Sequence, residues 1–598
     1  MQTESMTRPI EDYALLSNCR TAALVSSEGS IDWLCLPRYD SPSTFGALLG
    51  TEENGAWSLR PTDATATATR AYDGDTFILV TTWTTASGEV EVVDLLPRGV
   101  GRVDVLRQVR GISGSVELAQ DLRIRFGYSS ALPWVRQVGR GDGEALLAVA
   151  GPDAIIARGE RLEASDHTHR SVFSVEAGER VSLSLTWYPS HRNIPERLDV
   201  DTAIAQTREW WLDWAARWEH RGPYRDAVER SLLVLRALTH EGTGGIAAAV
   251  TTSLPEQVGG PRNWDYRYVW LRDAALTLQA LSDHGYHEEL SHWRDWLLRA
   301  IAGDPGDVQI MYGLAGERYL EERELDSLPG YAGSLPVRVG NGAVGQYQAD
   351  VIGEVMIALH VARLAGHGDL ENAWPLQRAL LGFLEENWQR PDQGIWEIRD
   401  EPRFFTHSRV MLWAAFDRGV AAVEGFGAEG PVDRWRELRD GLRAEIEERG
   451  VDSRRGRFVQ RYDSTELDAA LLLLPQVGFC AADDPRMLAT VAGIEEELVR
   501  AGLVHRYRTE TGVDGLPPGE NPFLACSFWL AHQYAASGRL GDAIALMNRL
   551  VALANDVGLL AEEVDPLTGH HWGNTPQALS HLALVRAADA IGRAEAAL

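Results

Sequence analysis

The sequence predicts an α+β multidomain protein, in which an N-terminal antiparallel β-sandwich is followed by a long all-α region. Two observations carry this prediction. Before about residue 205, short segments rich in Val, Thr and Ser alternate polar with apolar residues between Gly, Asp and Pro, which is typical of antiparallel strands. After that point, apolar residues recur at spacings of three and four, which indicates amphipathic helices.

The strand pattern is clearest in FILVTTWTTASGEVEVVDLL, QDLRIRFGY and HRSVFSVEAGERVSLSLTWYP. Alternation of this kind places one face of each strand in a core and the other toward solvent. We therefore assign residues 1–205 to the β-sandwich domain. Residues 206–225 are predicted to form a linker helix.

Residues 226–598 are predicted to form the helical domain. Segments such as AALTLQALSDHG, VIGEVMIALHVARLAG and LACSFWLAHQYAASG end at Gly, which commonly caps a helix at its C-terminal end. The region is too long for one four-helix bundle, so it predicts a closed toroid of helical hairpins or a solenoid. No strict repeat of roughly 30 to 45 residues is visible, which disfavours the solenoid.

The charge of the chain excludes several classes of function. It carries 57 basic and 86 acidic residues, a formal net charge of −29, and every basic residue is an arginine. Nucleic-acid binding by phosphate neutralisation is therefore not expected. Without lysine, a Schiff base to pyridoxal phosphate and a P-loop are both excluded. We expect a neutral or cationic substrate and no cofactor.

Targeting, membrane and metal signals are not evident. No apolar run approaches the roughly 20 residues of a membrane span, and the first residues lack the pattern of a secretory signal. The four cysteines, Cys19, Cys35, Cys480 and Cys526, form no CxxC pair, so no zinc site is predicted. We interpret the chain as cytoplasmic, without a membrane partner, and leave its assembly into a homo-oligomer open.

One loop, residues 259–277, concentrates aromatic and charged side chains. It contains Tyr266 and Trp270 beside Arg272 and Asp273. Aromatic faces stack on sugar rings, while Arg and Asp side chains hydrogen-bond hydroxyl groups. The loop therefore predicts either a sugar site or a helix N-terminus with a structural Arg–Asp pair.

Three carboxyl groups are candidates for acid–base chemistry. Glu397 follows Trp396 in an apolar setting, where desolvation raises the pKa of a carboxyl group, as a general acid requires. Glu562 and Glu563 end an apolar stretch, and one of them could act as a general base. The alternatives are a glutamate exposed on a turn and charges at a helix end.

Two further loops are long for a helical domain. Residues 324–355 contain Tyr331, and residues 505–532 contain Arg506. Loops of such length are usually functional. Two carboxyl groups in separate loops, with aromatic residues nearby, match the requirements of glycoside hydrolysis.

The motifs WDYRYVWLRD, GIWEIR, FFTHS, GLPPGENPFLACSFWL, GLLAEEVDP and GNTPQALSH resemble the loops of glycoside hydrolase family 15. The opening PIEDYALLSNCRTAALVSSEGSIDWLCLPRYDSPSTFGALLG is similar to the N-terminal β-domain of bacterial members. The resemblance covers about residues 9 to 585. It implies a β-sandwich followed by an (α/α)6 barrel, and hydrolysis with inversion at the anomeric carbon.

The resemblance also implies roles for individual residues. Glu397 matches the general acid and Glu562 the general base, with Glu563 as the alternative base. Arg272 and Asp273 match the pair that binds the nonreducing glucose. The full set of predicted substrate-binding residues is Tyr266, Trp270, Arg272, Asp273, Tyr331, Trp396, Arg506 and Glu563.

The implied activity is exo-hydrolysis of an α-glucoside, a small neutral sugar. An exo pocket without an export signal favours α,α-trehalose, cleaved to two glucose molecules. The alternatives are a glucoamylase-like or isomaltose/dextran exo-α-glucosidase. An inverting disaccharide phosphorylase and a non-catalytic sugar-binding protein also remain open.

Overall fold

The structure is a computed structural model that describes residues 7–99, 101–139, 141–218, 222–366 and 370–598. Within these ranges the N-terminal region contains fifteen connected strands. They are β1 Tyr13–Ser17, β2 Ala22–Ser26, β3 Ser30–Cys35, β4 Ser43–Phe45, β5 Ala56–Pro61, β6 Thr67–Tyr72, β7 Leu79–Thr85, β8 Gly88–Leu95, β9 Val103–Arg123, β10 Trp134–Val138, β11 Ala145–Ala150, β12 Asp153–Arg158, β13 Glu163–Ser165, β14 Thr168–Glu176 and β15 Arg180–Pro189.

All of these strands pair in antiparallel fashion, and the long strand β9 joins two sheets. Its first half pairs with β8 and β15, whereas its second half pairs with β5 and β14. Apolar residues of both sheets, including Leu122 and Leu185, belong to the same core. The predicted antiparallel β-domain is therefore confirmed.

The C-terminal region is helical. Its helices, preceded by α1 Val200–Ala215, are α2 Arg225–Leu238, α3 Leu271–Asp283, α4 His287–Ala300, α5 Asp350–Leu364, α6 Leu370–Asn387, α7 Thr406–Phe426, α8 Val432–Arg449, α9 Pro485–Glu497, α10 Leu524–Ala536, α11 Leu540–Val551 and α12 Ala578–Ala596. A short 3₁₀ helix, Ala469–Leu473, lies between α8 and α9.

Six of these elements form a closed inner ring. Contacts run from α3 to α5, to α7, to the 3₁₀ helix Ala469–Leu473, to α10, to α12 and back to α3. Helices α2, α4, α6, α8, α9 and α11 alternate with them along the chain. This arrangement is the predicted (α/α)6 barrel, and the open solenoid is excluded because the ring closes.

Burial explains which helices lie inside. Almost every residue of α10 is buried, and a helix that is apolar all round must be enclosed by protein. Helix α8 instead buries one stripe, formed by Trp435, Leu438, Leu442 and Ile446. That three-to-four spacing places all four side chains on one face.

The segment between the two domains differs in detail from the prediction. Helix α1 spans Val200–Ala215 and begins before the predicted linker at 206. The Asp199 side chain accepts a hydrogen bond from the Thr202 backbone N–H and so caps its start. The division at 205 and 225 stays a prediction.

Two further findings concern membrane-spanning helices and the cysteines. None of the helices in the described part of the chain is long and apolar enough to cross a membrane. The four cysteines are free thiols, and all except Cys480 are buried.

Candidate active site

Two adjoining cavities, of about 390 and 440 Å³, share the side chains of Tyr266, Trp396, Glu397 and Arg506. We call them the first and second cavity. Further residues that line the first cavity include Trp270, Arg272, Asp273, Phe523 and Gln577. Those that line the second include Glu256, Arg262, Trp264, Asn341, Arg399 and Asp514.

In the segment from Trp264 to Trp270, three aromatic side chains each donate a hydrogen bond to a carboxylate. The Trp264 Nε1 donates to Glu256 Oε1 at 3.1 Å. The Tyr266 hydroxyl donates to Glu562 Oε1 at 2.7 Å, and Trp270 Nε1 donates to Glu397 Oε1 at 2.7 Å. The Tyr266 and Trp270 rings meet edge to face, with centroids 5.4 Å apart. One short segment therefore holds both proposed catalytic carboxyl groups.

The intervening residues of this segment are anchored in the β-domain. Asp265 and Arg267 form a fully buried ion pair at 2.6 Å. The Arg267 guanidinium also donates to the Ser41 carbonyl oxygen and to the Tyr128 hydroxyl, both at 2.9 Å. An isolated buried charge is costly, so these partners fix the position of Arg267.

Glu397 lies on a strained turn. Its φ is +59°, a left-handed conformation that costs about 1–2 kcal/mol for a residue with a Cβ. The Gln346 side chain donates to the Glu397 and Ile398 carbonyl oxygens at 3.1 and 3.2 Å. Strain of this kind persists only where the surroundings impose it, and here it directs the carboxyl group into both cavities.

Burial raises the pKa of Glu397, an effect that the positive charge of Arg272 partly opposes. A raised pKa keeps the carboxyl group protonated nearer neutral pH, as a general acid requires. The predicted apolar setting of Glu397 is thus present.

Glu562 is almost completely buried beneath the Tyr266 hydroxyl. Its second oxygen accepts from the Asn574 backbone N–H at 3.3 Å, and Gly573 lies directly against it, since an added Cβ would stand 2.3 Å from Oε2. Burial and the nearby charge of Glu256 raise the pKa of Glu562.

Glu563 faces a different environment from Glu562. Its Oε2 accepts from the Asn521 backbone N–H at 2.9 Å, and its Oε1 lies 3.7 Å from Arg506 Nη2. Like Glu562, it is buried and lines neither cavity. Glu563 supports Arg506, and its contact with substrate stays a prediction.

Arg506 lies among three carboxylates. Its Nη2 donates to Glu256 at 2.7 Å and to Glu520 at 2.6 Å. Oxygens of Glu256, Glu520 and Glu563 lie within 4.8 Å of one another, which resembles the spacing of metal ligands. The Arg506 guanidinium contacts all three carboxylates, so we interpret the cluster as an ion-pair network that holds Arg506 against Trp396.

Arg272 and Asp273 lie in the first turn of helix α3 and form the predicted Arg–Asp pair. Arg272 Nε donates to Asp273 Oδ1 at 2.7 Å, and Nη1 donates to the Ile395 carbonyl oxygen at 2.6 Å. Both side chains also line the first cavity. The predicted structural pair is therefore present, and its two residues are exposed to the first cavity, where sugar binding by them stays a prediction.

Of the two remaining predicted residues, Trp396 lies at the cavities and Tyr331 does not. Trp396 lines both cavities, and its Nε1 donates to Asp468 Oδ1 at 2.9 Å. Tyr331 does not reach them. Its hydroxyl donates to the Arg8 carbonyl oxygen at 2.9 Å, and its ring packs against Trp572. The prediction for Tyr331 is corrected, because its long loop covers the N-terminal segment at that point.

Several residues of the site were not predicted. Arg262 and Trp264 belong to the loop of residues 259–277, so its density of Arg and Trp was a usable signal. Glu256 accepts from Trp264 Nε1 at 3.1 Å as well as from Arg506, yet nothing in its local sequence marks it. Only the fold brings it to Arg506.

Comparisons with known proteins show the family of this chain. The model of the glycosyl hydrolases family 15 matches residues 222–589, and that of the trehalase-like N-terminal domain matches residues 3–183. The chain belongs to glycoside hydrolase family 15 and is an enzyme of that class.

Curated relatives cover nearly the whole chain. The trehalase of Mycolicibacterium smegmatis is 37% identical, over 98% of this chain and 92% of its own length. The trehalase of Thermoplasma volcanium is 33% identical, over 97% and 93%. A bacterial glucoamylase solved with acarbose has the same fold, with a TM-score of 0.73 at 12% identity, over 98% and 94% of the two chains.

Proposed function

We propose that this enzyme is an α,α-trehalase that hydrolyses trehalose to two glucose molecules with inversion. The observation that carries the proposal is the pair of cavities that meet at Glu397 and Trp396. A disaccharide with one glucosyl unit in each cavity would place its glycosidic oxygen beside Glu397. The trehalases among the relatives support this choice of substrate.

Glu397 is the general acid of the proposed reaction. Trp270 donates to its Oε1, which leaves Oε2 to carry the proton. That proton passes to the glycosidic oxygen as the bond from this oxygen to the anomeric carbon breaks. The oxocarbenium-like charge develops beside the aromatic rings of Tyr266 and Trp270, which line the first cavity.

Glu562 is the general base. A water attacks the anomeric carbon from the face opposite Glu397 and gives a proton to Glu562, so the cleaved centre inverts. The direct bond from the cavity-lining Tyr266 to Glu562 supports this residue over Glu563, whose oxygens turn toward Asn521 and Arg506. One product is β-glucose, and the other keeps the α configuration.

The nonreducing glucose is held by polar groups in the first cavity. Asp273 retains one carboxylate oxygen beyond its bond to Arg272, and both residues can bind vicinal hydroxyls in a bidentate manner. In the second cavity, Arg262 pairs with Asp514 at 2.7 Å and forms part of the wall. A wall there favours a substrate of two sugar units over a longer chain.

A substrate panel followed by proton NMR tests the proposal. Trehalose, maltose, isomaltose, maltotetraose and dextran are compared, with Glu397→Gln and Glu562→Gln as controls. Trehalose cleaved best, with equal initial amounts of β- and α-glucose, is the expected result. Preference for maltotetraose or isomaltose would instead identify a glucoamylase-like exo-α-glucosidase. Glucose 1-phosphate formed only with phosphate would identify a phosphorylase, and binding without turnover a sugar-binding protein.

The proposal includes a cytoplasmic location. Free, mostly buried thiols support it, since disulfides are rare in that compartment. Assembly into a homo-oligomer is tested by light scattering on the purified chain.

A further inference from the structure

A third cavity lies in the β-domain, and the proposed reaction makes no use of it. Its open volume is about 970 Å³, more than twice that of either active-site cavity. It lies between the strands at the edges of the two sheets. Strand β10 ends the order of one sheet, and the short strand β13 pairs with β14 in the other.

The charged side chains that line this cavity are cationic. They are Arg125 and Arg136, and none of the lining residues that the structure describes is an Asp or Glu. The imidazoles of His167 and His169 also line it, and burial lowers the pKa of His169, which favours its neutral ring. In a chain with a net charge of −29, such a lining is an electrostatic exception. Positive clefts with low-dielectric walls concentrate anions.

The arginines here are poorly neutralised. Arg125 is buried and donates to the Ile124 and His167 carbonyl oxygens at 3.0 and 3.2 Å. Its nearest carboxylate, the exposed Glu53, lies 3.9 Å away. Arg136 lies 5.0 Å from the Trp134 ring centroid and forms no ion pair within the described ranges. Both guanidinium groups can therefore form an ion pair with an anionic ligand.

A hairpin turn and a buried histidine shape the polar side of the cavity, and the histidine points to a ligand there. Asp166 and His167 both have positive φ, +46° and +58°, in the two-residue turn between β13 and β14. Positive φ at both central residues is the usual geometry of a two-residue hairpin turn, and this turn places His167 at the cavity. His169 is only 7% exposed, and its ring Nδ1 has no hydrogen-bond partner among the described residues. Buried polar atoms of this kind usually have such a partner.

Apart from Gln137, the rest of the lining is apolar. It consists of Ile124, Leu132, Pro133, Val135, Leu146 and Ala164. Beside it, Trp134 is 65% exposed and Leu132 is 55% exposed. Large exposed apolar side chains around a concave site with a few polar groups are typical of small-molecule binding.

We propose that this cavity binds a small organic anion, one with a carboxylate, sulfonate or phosphate group on an apolar body. The anionic group would contact Arg125, Arg136 and His167, and the apolar body would lie against Leu132, Val135 and Leu146. The site is separate from the two active-site cavities, which share none of its lining residues.

A matched pair of dyes tests both halves of the proposal. The anion 8-anilinonaphthalene-1-sulfonate and the neutral N-phenyl-1-naphthylamine have the same rings and differ only in the sulfonate. Fluorescence titration of the full chain should show one tight anionic dye per chain. The Arg136→Gln/His167→Gln variant should raise the Kd of the anionic dye about tenfold or more and leave that of the neutral dye unchanged.

Both substituted side chains are exposed, so the variant should fold normally. Arg180→Gln, an exposed arginine of β15 away from the cavity, is the matched control and should bind the dye like the wild type. Ala164→Phe, which adds an aromatic ring to the cavity lining, should weaken binding of both dyes. Trehalose hydrolysis should be unchanged in every variant.

Three outcomes would overturn the proposal. Equal affinity for the two dyes would show that the anionic group does not contribute to binding. Unchanged dye binding in the double variant and in Ala164→Phe would place the dye elsewhere. Full displacement of the dye by an equal concentration of inorganic phosphate would show that the apolar walls contribute nothing.

Discussion

Tyr266 and Arg267 are adjacent in the chain, but their side chains reach opposite sides of one extended segment. The Tyr266 hydroxyl donates to Glu562, while the Arg267 guanidinium donates to Ser41 and Tyr128 in the β-domain. Successive side chains of an extended segment alternate in this way. The β-domain is therefore connected to the proposed base through two neighbouring residues.

The first prediction concerns this connection. Tyr128→Phe removes the hydroxyl that accepts from Arg267, so Arg267 and Tyr266 lose part of their positioning. We expect kcat for trehalose to fall roughly 3- to 10-fold with little change in KM, because small misplacements of catalytic groups lower the rate steeply. Steady-state kinetics and thermal unfolding measure the two effects.

Tyr72→Phe is the control for this change. The Tyr72 hydroxyl donates to the Leu15 carbonyl oxygen and accepts from the Leu15 N–H, both within the β-domain. Tyr72→Phe should lower the free energy of unfolding by about 1 kcal/mol and leave kcat unchanged. Equal loss of kcat in both variants would show that Tyr128 acts only on stability.

The second prediction separates the acid from the base. Glu397→Gln and Glu562→Gln should each lower kcat for trehalose by about 10²–10⁴-fold. With α-glucosyl fluoride, whose leaving group needs no proton, Glu397→Gln should recover most of its rate because only the acid is missing. Glu562→Gln should not recover.

Glu563→Gln accompanies these two variants. Its loss should be smaller, since Glu563 contacts Arg506 and Asn521, whereas Glu562 accepts from the hydroxyl of the cavity-lining Tyr266. A larger loss for Glu563→Gln than for Glu562→Gln on both substrates would exchange the roles of the two residues.

The third prediction is a shift of the pH profile. Burial raises the pKa of Glu562, and the negative charge of Glu256 raises it further; the base must be ionised to act. Glu256→Gln removes that charge, so the pKa of Glu562 falls. The acidic limb of kcat/KM should therefore move to lower pH, which a pH–rate profile measures.

Glu289→Gln is the matched control, because Glu289 also accepts from a tryptophan N–H and lies near an arginine, but away from the site. Its profile should overlay that of the wild type. An acidic limb that stays in place, or moves to higher pH, in Glu256→Gln would contradict the electrostatic coupling.

The fourth prediction concerns the close contact of Gly573 with Glu562. Gly573→Ala would put a Cβ 2.3 Å from Glu562 Oε2, so the carboxylate must move. We expect a loss of kcat of about tenfold or more, together with a stability loss of about 1 kcal/mol from the positive φ.

Gly569→Ala isolates the backbone effect. Gly569 has φ +80° and nothing within 4 Å of an added Cβ. It should lose similar stability but no activity. If both alanine variants keep full kcat, the packing of Gly573 does not position the base.

Much of this protein follows from local sequence. Alternation predicts the strands, and the spacing of apolar residues predicts the helices, because both periods come directly from backbone geometry. The loop of residues 259–277 can also be recognised from the sequence, because it contains Trp264, Tyr266, Trp270, Arg272 and Asp273. These signals need no knowledge of which segments meet.

Other features had no local signal. Tyr331 lies in a long loop of the helical domain, yet it packs on the N-terminal segment. Glu256 lies in an ordinary stretch, yet it forms the ion pair that holds Arg506. In both cases the partner is far away in sequence.

By itself, the sequence determined the order of a β-domain and a helical domain and the loops that carry the chemistry. Only the tertiary structure decided that the helices close into a ring, that Tyr266 and Trp270 bond the two carboxyl groups, and that Arg267 anchors them in the β-domain. The physical reason is that secondary structure depends on neighbours along the chain. A buried charge or a hydrogen bond instead depends on whichever distant group the fold places beside it.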